Sequence, residues 1–393
     1  MLKRYQTEIA VAVLVAAVGA LFIFTGGSSH RVAGAGAATN GGPIKKWEFQ
    51  LGARAAGSPA IAPDGTIYVT GNGGLVAIAP DGKEKWRSPY LQVTSSPMIG
   101  PDGTIYFTEL HGSLYAYNPG GSRAWPDSAG GVGMAIYDTA PLLGNGGAVY
   151  IVSGGINAYS ANDGTRLWQN KQSMGFAIGL AQLAAVGPDG NILVGAANGQ
   201  FYSFQPTDGS IAWQANIRDA HAAGGTAIGA DGTIYVGADN GVLYAVFNDG
   251  KPRWEFKAGA PISTEPAVAD DGTIYVAAEN TLYAVGPDGE KRWAFQTTYK
   301  FTTAPALAAD GTIYCPNADK KLYAISPDGS KKWEYASGDA IFNPPNIAPD
   351  GTVYVINLDG TMMALSDSNG GLMHSAWPRF QHDAANTGNA STP

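Results

Sequence analysis

Residues 58–88 read SPAIAPDGTIYVTGNGGLVAIAPDGKEKWRS. Four short runs of alternating apolar character lie in this stretch: Pro59–Ala62, Thr66–Thr70, Leu75–Ala79 and Lys83–Ser88. Between them stand Pro63-Asp64-Gly65, Asn72-Gly73-Gly74 and Pro80-Asp81-Gly82. Asp-Gly and Asn-Gly supply the positive φ that tight hairpins require. The stretch therefore predicts one four-stranded antiparallel meander.

The same grammar recurs along the chain. Gly-Thr-Ile-Tyr or a close relative starts at Gly65, Gly103, Gly147, Gly190, Gly232, Gly272, Gly311 and Gly351, at spacings of 38 to 44 residues. A tryptophan keeps step with it: Trp47, Trp86, Trp125, Trp168, Trp213, Trp254, Trp293 and Trp333. Trp377 stands apart, in a tail. One such sheet cannot bury both of its faces, and eight in a ring can, so the repeat predicts an all-β, eight-bladed β-propeller. The last unit, Asn343 to Ser366, has three strands and no Lys-Trp strand, whereas Pro43–Phe49 precedes any complete unit. The N-terminal strand should thus complete the eighth blade.

Two positional details support a strand order. Six units carry a proline six residues before the repeat glycine: Pro59, Pro97, Pro141, Pro266, Pro305 and Pro345. Proline lacks an N–H and suits an edge strand, here the innermost. Cationic pairs precede the tryptophans, as Lys83/Lys85, Lys251/Arg253, Lys291/Arg292 and Lys331/Lys332. They are expected to protect the outermost edge from pairing with other sheets.

Composition agrees with this architecture. The 393 residues include 54 glycines and 24 prolines but only 14% charged residues, a profile of many turns and few surface helices. Net charge is −8, which gives no electrostatic case for nucleic acid. Cys315 is the single cysteine, excluding an intrachain disulfide and any multi-cysteine metal site. It stands where the repeat strand has an aliphatic residue, so it reads as a small buried hydrophobe.

The N-terminus differs from the rest. Lys3 and Arg4 precede an uncharged run from Ile9 to Phe24. As a helix it would reach roughly 25 Å, near the short limit for crossing a bilayer. The reading adopted is a single-pass signal anchor over 9–25, with residues 1–8 cytoplasmic and the remainder outside. A cleaved signal peptide is the competing reading; the small residues around Ala33–Ala37 lie far beyond the apolar run for a cleavage site. Residues 26–43, rich in Gly, Ala and Ser, read as a flexible linker, 44–366 as the propeller and 367–393 as a tail packed on it. The expected location is the bacterial inner (cytoplasmic) membrane, with the propeller facing the periplasm or exterior.

The segments AIAPDGKEKW (77–86), AYSANDGTRLW (158–168), AVGPDGEKRW (284–293) and AISPDGSKKW (324–333) resemble the tryptophan-docking motif of pyrroloquinoline-quinone-like (PQQ-like) propeller repeats, roughly Ala-x-Asp-x-x-Thr-Gly-x-x-x-Trp. The resemblance covers 44–366 and implies that each indole packs between adjacent blades. The tail from Trp377 to Gly388 also resembles a segment of such proteins. The family includes quinoprotein alcohol and sugar dehydrogenases, and the propeller lipoprotein of the outer-membrane barrel assembly machinery. This chain resembles the latter more: it lacks the adjacent cysteines and the long insertions that accompany the quinone in many of the dehydrogenases.

Chemistry-bearing clusters are sparse. His30, His111, His221, His374 and His382 share no metal-ligand spacing. The Asp-Gly turns offer one carboxylate each, Asp270-Asp271-Gly272 being the densest, and turn chemistry accounts for them without calcium. Gly71–Gly74 and Gly130–Gly133 precede no helix and are assigned to loops rather than phosphate cradles. No catalytic, cofactor or metal residue is assigned.

The two ends of the ring should differ. Short strand 1–2 and 3–4 turns lie on one face; strand 2–3 turns and inter-blade connectors lie on the other. The two longest connectors are adjacent and carry Met134, Tyr137, Met174 and Phe176; the next adds Arg218 and His221. Loops on a rigid scaffold commonly carry function, so this face over blades 3 to 5 is the expected binding site. The function expected is a non-catalytic, membrane-tethered scaffold for an extracytoplasmic protein or glycan. The alternatives are a PQQ- and calcium-dependent oxidoreductase and a cell-surface sensory or adhesive ectodomain. Oligomeric state is not read.

Overall fold

The computed structural model describes residues 42–392 apart from 90, 94, 111, 131–139, 153–154, 171–183, 197–198, 218–223, 368 and 385. The apolar run 9–25 and most of the linker lie outside these residues. No helix among the described residues is long and apolar enough to cross a membrane.

Eight four-stranded antiparallel sheets form the described chain. Blade 1 runs through Ala60–Ile61, Ile67–Gly71, Gly74–Ile78 and Glu84–Arg87, in space as in sequence. Gly71 and Gly74 belong to its strands, not to a loop: they face each other across the two-residue turn Asn72-Gly73. The eighth blade takes Asn346–Ile347, Thr352–Ile356 and Thr361–Ser366 from the end of the repeat and Ile44–Gln50 from its start. Trp47 lies opposite Ala364 in that clasp. The ring thus closes through hydrogen bonds between the two ends of the repeat, and no open seam is left.

The core lies between blades, and its repeating element is the tryptophan. The Trp86 indole packs on Gly121 of the next blade and donates to the Pro119 carbonyl at 2.8 Å. Trp47 does the same at Gly82 and Pro80, Trp254 at Gly289 and Pro287, and Trp293 at Gly329 and Pro327. Each glycine has positive φ in the strand 3–4 turn, and a Cβ there would strike the indole; at Gly289 it would sit 2.8 Å from the ring. Glycine is therefore required twice, by conformation and by contact. The indole's other neighbour is the repeat tyrosine of its own blade, as in Tyr275 and Trp293 with ring centroids 5.7 Å apart.

Two blades modify the pattern. Trp213 covers Gly250, but its N–H has no partner. Trp333 donates instead to the Asp367 carboxylate at 3.2 Å, because the chain after blade 8 becomes the tail. Blade 2 also departs: its outer strand is only Ala129–Gly130, beyond Trp125-Pro126, where proline offers no ladder N–H.

A second device recurs beside five of the tryptophans, Trp47, Trp86, Trp254, Trp293 and Trp333. The outer strand bulges one residue before each, leaving Lys46, Lys85, Arg253, Arg292 and Lys332 unpaired in the ladder. Each of these cations turns back to the Asp and Thr of its own blade's strand 1–2 turn. Lys332 Nζ meets Asp310 at 2.9 Å and Thr312 at 2.7 Å. Lys46 meets Asp350 at 3.0 Å and Thr352 at 2.5 Å. These cations tie the outer strand to the Asp-Gly-Thr turn, in addition to any edge protection. Where the bulge residue is Leu167, in blade 3, the turn Asn145-Gly146-Gly147 has no aspartate. Such partly exposed pairs add little stability, so their contribution is to bulge geometry.

Cys315 is buried and its thiol is pushed far up by burial, as expected of a small core hydrophobe.

Gly289→Ala and Gly338→Ala separate indole docking from backbone conformation. Both glycines have φ near +85°, but nothing lies within 4 Å of the Cβ position at Gly338. Gly338→Ala should cost only the left-handed backbone penalty, about 1 kcal/mol. Gly289→Ala should cost about 1–3 kcal/mol more, from overpacking against Trp254. Equal losses in urea unfolding would show that indole docking is not the constraint.

Candidate functional site

The innermost strands, such as Ala267–Val268 and Ala306–Leu307, are two or three residues long and line a central channel. Their inward N–H groups face no further strand. The tail supplies the acceptors. Ile61 N–H donates to Ala384 O, Leu143 to Thr387 O, Val186 to Gly388 O, Val268 to Trp377 O and Leu307 to Pro378 O, all at 2.7–2.9 Å. These are the last residues of their strands, so the tail crosses the channel at the end carrying the strand 1–2 turns. In exchange, Asn386 Nδ2 donates to Pro97 O at 2.9 Å and Asn389 Nδ2 to Leu143 O at 2.7 Å. Gln381, His382 and Asn386 hold positive φ without being glycine, a strained backbone kept in place by this network.

Arg379 is fully buried at the centre. Its guanidinium donates to Pro345 O at 3.2 Å, Asp383 O at 2.5 Å, Asn386 Oδ1 at 2.7 Å and the Ser58 hydroxyl. Burial pushes its pKa down to about 10, with Asp383 and Glu265 opposing. His382 is held structurally, its ring 5.3 Å from Trp377 and its Nδ1 3.1 Å from Thr392 Oγ1.

The other end of the channel lies on the connector face, built among the described residues by the strand 2–3 turns and parts of the connectors. A cavity of about 90 Å³ lies there, bounded by Gly224, Ser263, Thr264, Thr302, Thr303 and Phe342, with Glu265 and Phe380 among its walls. Glu265 precedes Pro266 at the entry of the inner strand. The described residues at the matching place in other blades are Ser58, Ser96, Ala140, Gly225, Ala304 and Pro344. Glu265 is the one acid in that column. Its Oε1 accepts from Trp377 Nε1 at 2.6 Å and from the Gln381 N–H at 3.2 Å. Burial raises its pKa from 4.5 to about 8, against the lowering effect of these two donors and of Arg379. On the connector face Tyr299, Phe342 and Leu358 are exposed large apolar side chains, Phe342 at the cavity itself.

The residues expected from sequence to bind, Met134, Tyr137, Met174, Phe176, Arg218 and His221, lie outside the described residues. The end of the last connector, Gly224–Gly225, borders the cavity. Sequence reasoning missed Glu265 and Arg379. Stacking the eight units in register would have exposed Glu265 as the odd residue in a column of small ones; no signal in the tail marks Arg379 as buried. Among the described residues, no group of three or more His, Cys, Asp or Glu could hold a metal ion.

A ring of four-stranded blades closed by an N-terminal strand, with indoles docked on the turn glycines of the next blade, defines the PQQ-like class of β-propellers. The family profile described as outer membrane protein assembly factor BamB matches residues 30–174, 152–223 and 203–385, and the chain belongs to that family. BamB from Moraxella catarrhalis is a similar solved structure, at 16% identity and a TM-score of 0.68, covering 82% of this chain and 97% of that one. The C-terminal WD40 domain of Sif2 aligns at 11% identity and a TM-score of 0.67, over 84% and 99% of the two chains. The computationally designed Ika8 protein aligns at 12% and 0.67, over 81% and 98%. At these identities the structures speak for the fold. No curated protein matches the sequence.

Glu265 makes stability pH-dependent. Its folded pKa lies above its unfolded one, so its contribution is complete below about 4.5 and is lost as pH rises through about 8. The melting temperature of the native chain should therefore fall between pH 5 and 9 relative to that of Glu265→Gln. Parallel curves for the two proteins would mean that Glu265 is ionised throughout.

Proposed function

We propose that this chain is a non-catalytic scaffold, tethered to a membrane by residues 9–25 and facing the periplasm or exterior, that binds a protein partner through its connector face. The supporting observation is asymmetry. The tail closes the turn end of the channel through five inner strands, while the described residues of the connector end leave a cavity and present Tyr299, Phe342 and Leu358. Exposed aromatics around a recess fit protein recognition better than they fit solvent. The strand Ile44–Gln50 enters from the turn face, since Ile44 pairs with Ser366, so an upstream tether joins the ring opposite the connector face. The family's description as an assembly factor agrees with a scaffold. The connectors carrying Met134, Tyr137, Met174, Phe176, Arg218 and His221 belong to the same proposed face.

Cofactor-free action is part of the reading. Pyrroloquinoline quinone is a flat tricarboxylate and calcium needs six to eight oxygens. The described channel cavity offers one carboxylate and no cation, so its residues fit neither group.

A photo-crosslinking side chain at Phe342 tests the reading, with the same probe at Leu167 on the outer rim as control. The expected outcome is one saturable adduct from Phe342 alone, competed by unlabelled protein and lost in Tyr299→Ala without a change in melting temperature. Identical adducts from both positions would sink it, as would quinone-dependent dye reduction.

A further inference from the structure

Among the described residues, Glu265 in the channel has no cation in hydrogen-bond contact. Trp377 and Gln381 supply the two donors at Glu265 Oε1, and both are neutral. Arg379 is the nearest described cation that influences it, yet its donors are spent on Pro345, Asp383, Asn386 and Ser58. Among the described residues, no lysine, arginine or histidine forms an ion pair with Glu265. Buried without a counter-charge, Glu265 keeps its proton until pH rises to about 8, and a cation entering beside it would favour release of that proton.

The space beside it has the shape and lining of a receptor for one charged head. The cavity of about 90 Å³ has room for roughly half a dozen waters, enough for a guanidinium or ammonium group but not for a folded segment. Ser263, Thr264, Thr302 and Thr303 put hydroxyls around it, and Phe342 and Phe380 put rings there. The connector face of blades 5 to 8 is of mixed charge: Asp239, Glu279, Asp319 and Asp359 stand on its strand 2–3 turns beside Lys320, with Lys257, Lys300 and Lys321 on the same face, Lys321 4.0 Å from Asp319 and Lys320 3.2 Å from Asp339.

We infer that the partner docks by inserting one cationic side chain, arginine or lysine, through the connector mouth, with its head against Glu265 and its stem against Phe342. The inference rests on the protein-binding reading above and adds the chemistry by which the partner is recognised. Insertion exchanges channel water for an ion pair shielded from solvent, where truncating either charge is costly. Exposed apolar residues around the mouth would then exclude water from the pair.

The test uses the full chain and N-acetyl-arginine amide as probe, with N-acetyl-citrulline amide as its neutral isostere. The Trp377 indole N–H, bonded to Glu265, is the reporter, identified by its loss in Trp377→Phe. The arginine compound is expected to shift that signal saturably. The citrulline compound should leave it in place, Glu265→Gln should weaken the response at least tenfold, and Asp81→Asn, on an exposed turn of the opposite face, should leave it within twofold. Glu265→Gln keeps an acceptor for Trp377, so the tail should stay seated and the comparison remain valid. A flat signal, an equal response to citrulline, or an undiminished response in Glu265→Gln overturns the inference. A calcium chloride titration that reproduces the shift and displaces the arginine compound overturns it too, making the cavity an inorganic-cation site. Failure here with retained crosslinking at Phe342 would remove the inserted cation and leave the scaffold reading standing.

Discussion

The contact between an indole and a turn glycine of the next blade sets the rest of the structure. Each blade alone is a small sheet with two apolar faces, too little to stand by itself. Docking Trp254 on Gly289, and its counterparts around the ring, buries a large apolar surface and fixes the angle between neighbours. The N–H bond to the turn carbonyl, as from Trp293 to Pro327, selects one orientation of the ring. The bulge beside each tryptophan then follows, since an outer strand that turns its indole toward the next blade must break register there.

Closing a ring creates a second problem, which the tail solves. Inner strands leave backbone donors and acceptors pointing into the channel, too few to pair with one another and too buried to leave unmet. Residues 372–390 supply partners in register with five blades, and Arg379 supplies several donors at the centre. The cost is backbone strain at Gln381, His382 and Asn386. The result, among the described residues, is a ring whose channel is closed at one end, a form suited to holding a partner in a fixed geometry.

Glu265 joins the two halves of this design. It lines the cavity at the connector end and accepts from Trp377 and Gln381 of the tail. Whatever changes its charge acts on the mouth and on the seating of the tail together. The burial that raises its pKa is also what gives a visiting cation its selectivity, since the carboxylate has little water to surrender.

Blade number, strand order within a blade, the N-terminal clasp and the docking tryptophans were legible in the sequence because each is a local pattern repeated eight times. Turn residues declare their φ, and alternation declares the buried face. The bulged cations were visible as edge charges, but only the fold brings the Asp-Gly-Thr turn of the same blade within reach of Lys85 and Arg292. The channel was not legible. Its lining comes from two or three residues of each of four connectors, some forty positions apart, and from a tail whose partners lie up to 328 residues away. A repeat determines its own unit by short-range preference. What converges on the axis is decided by ring closure, which places together residues that no local pattern connects.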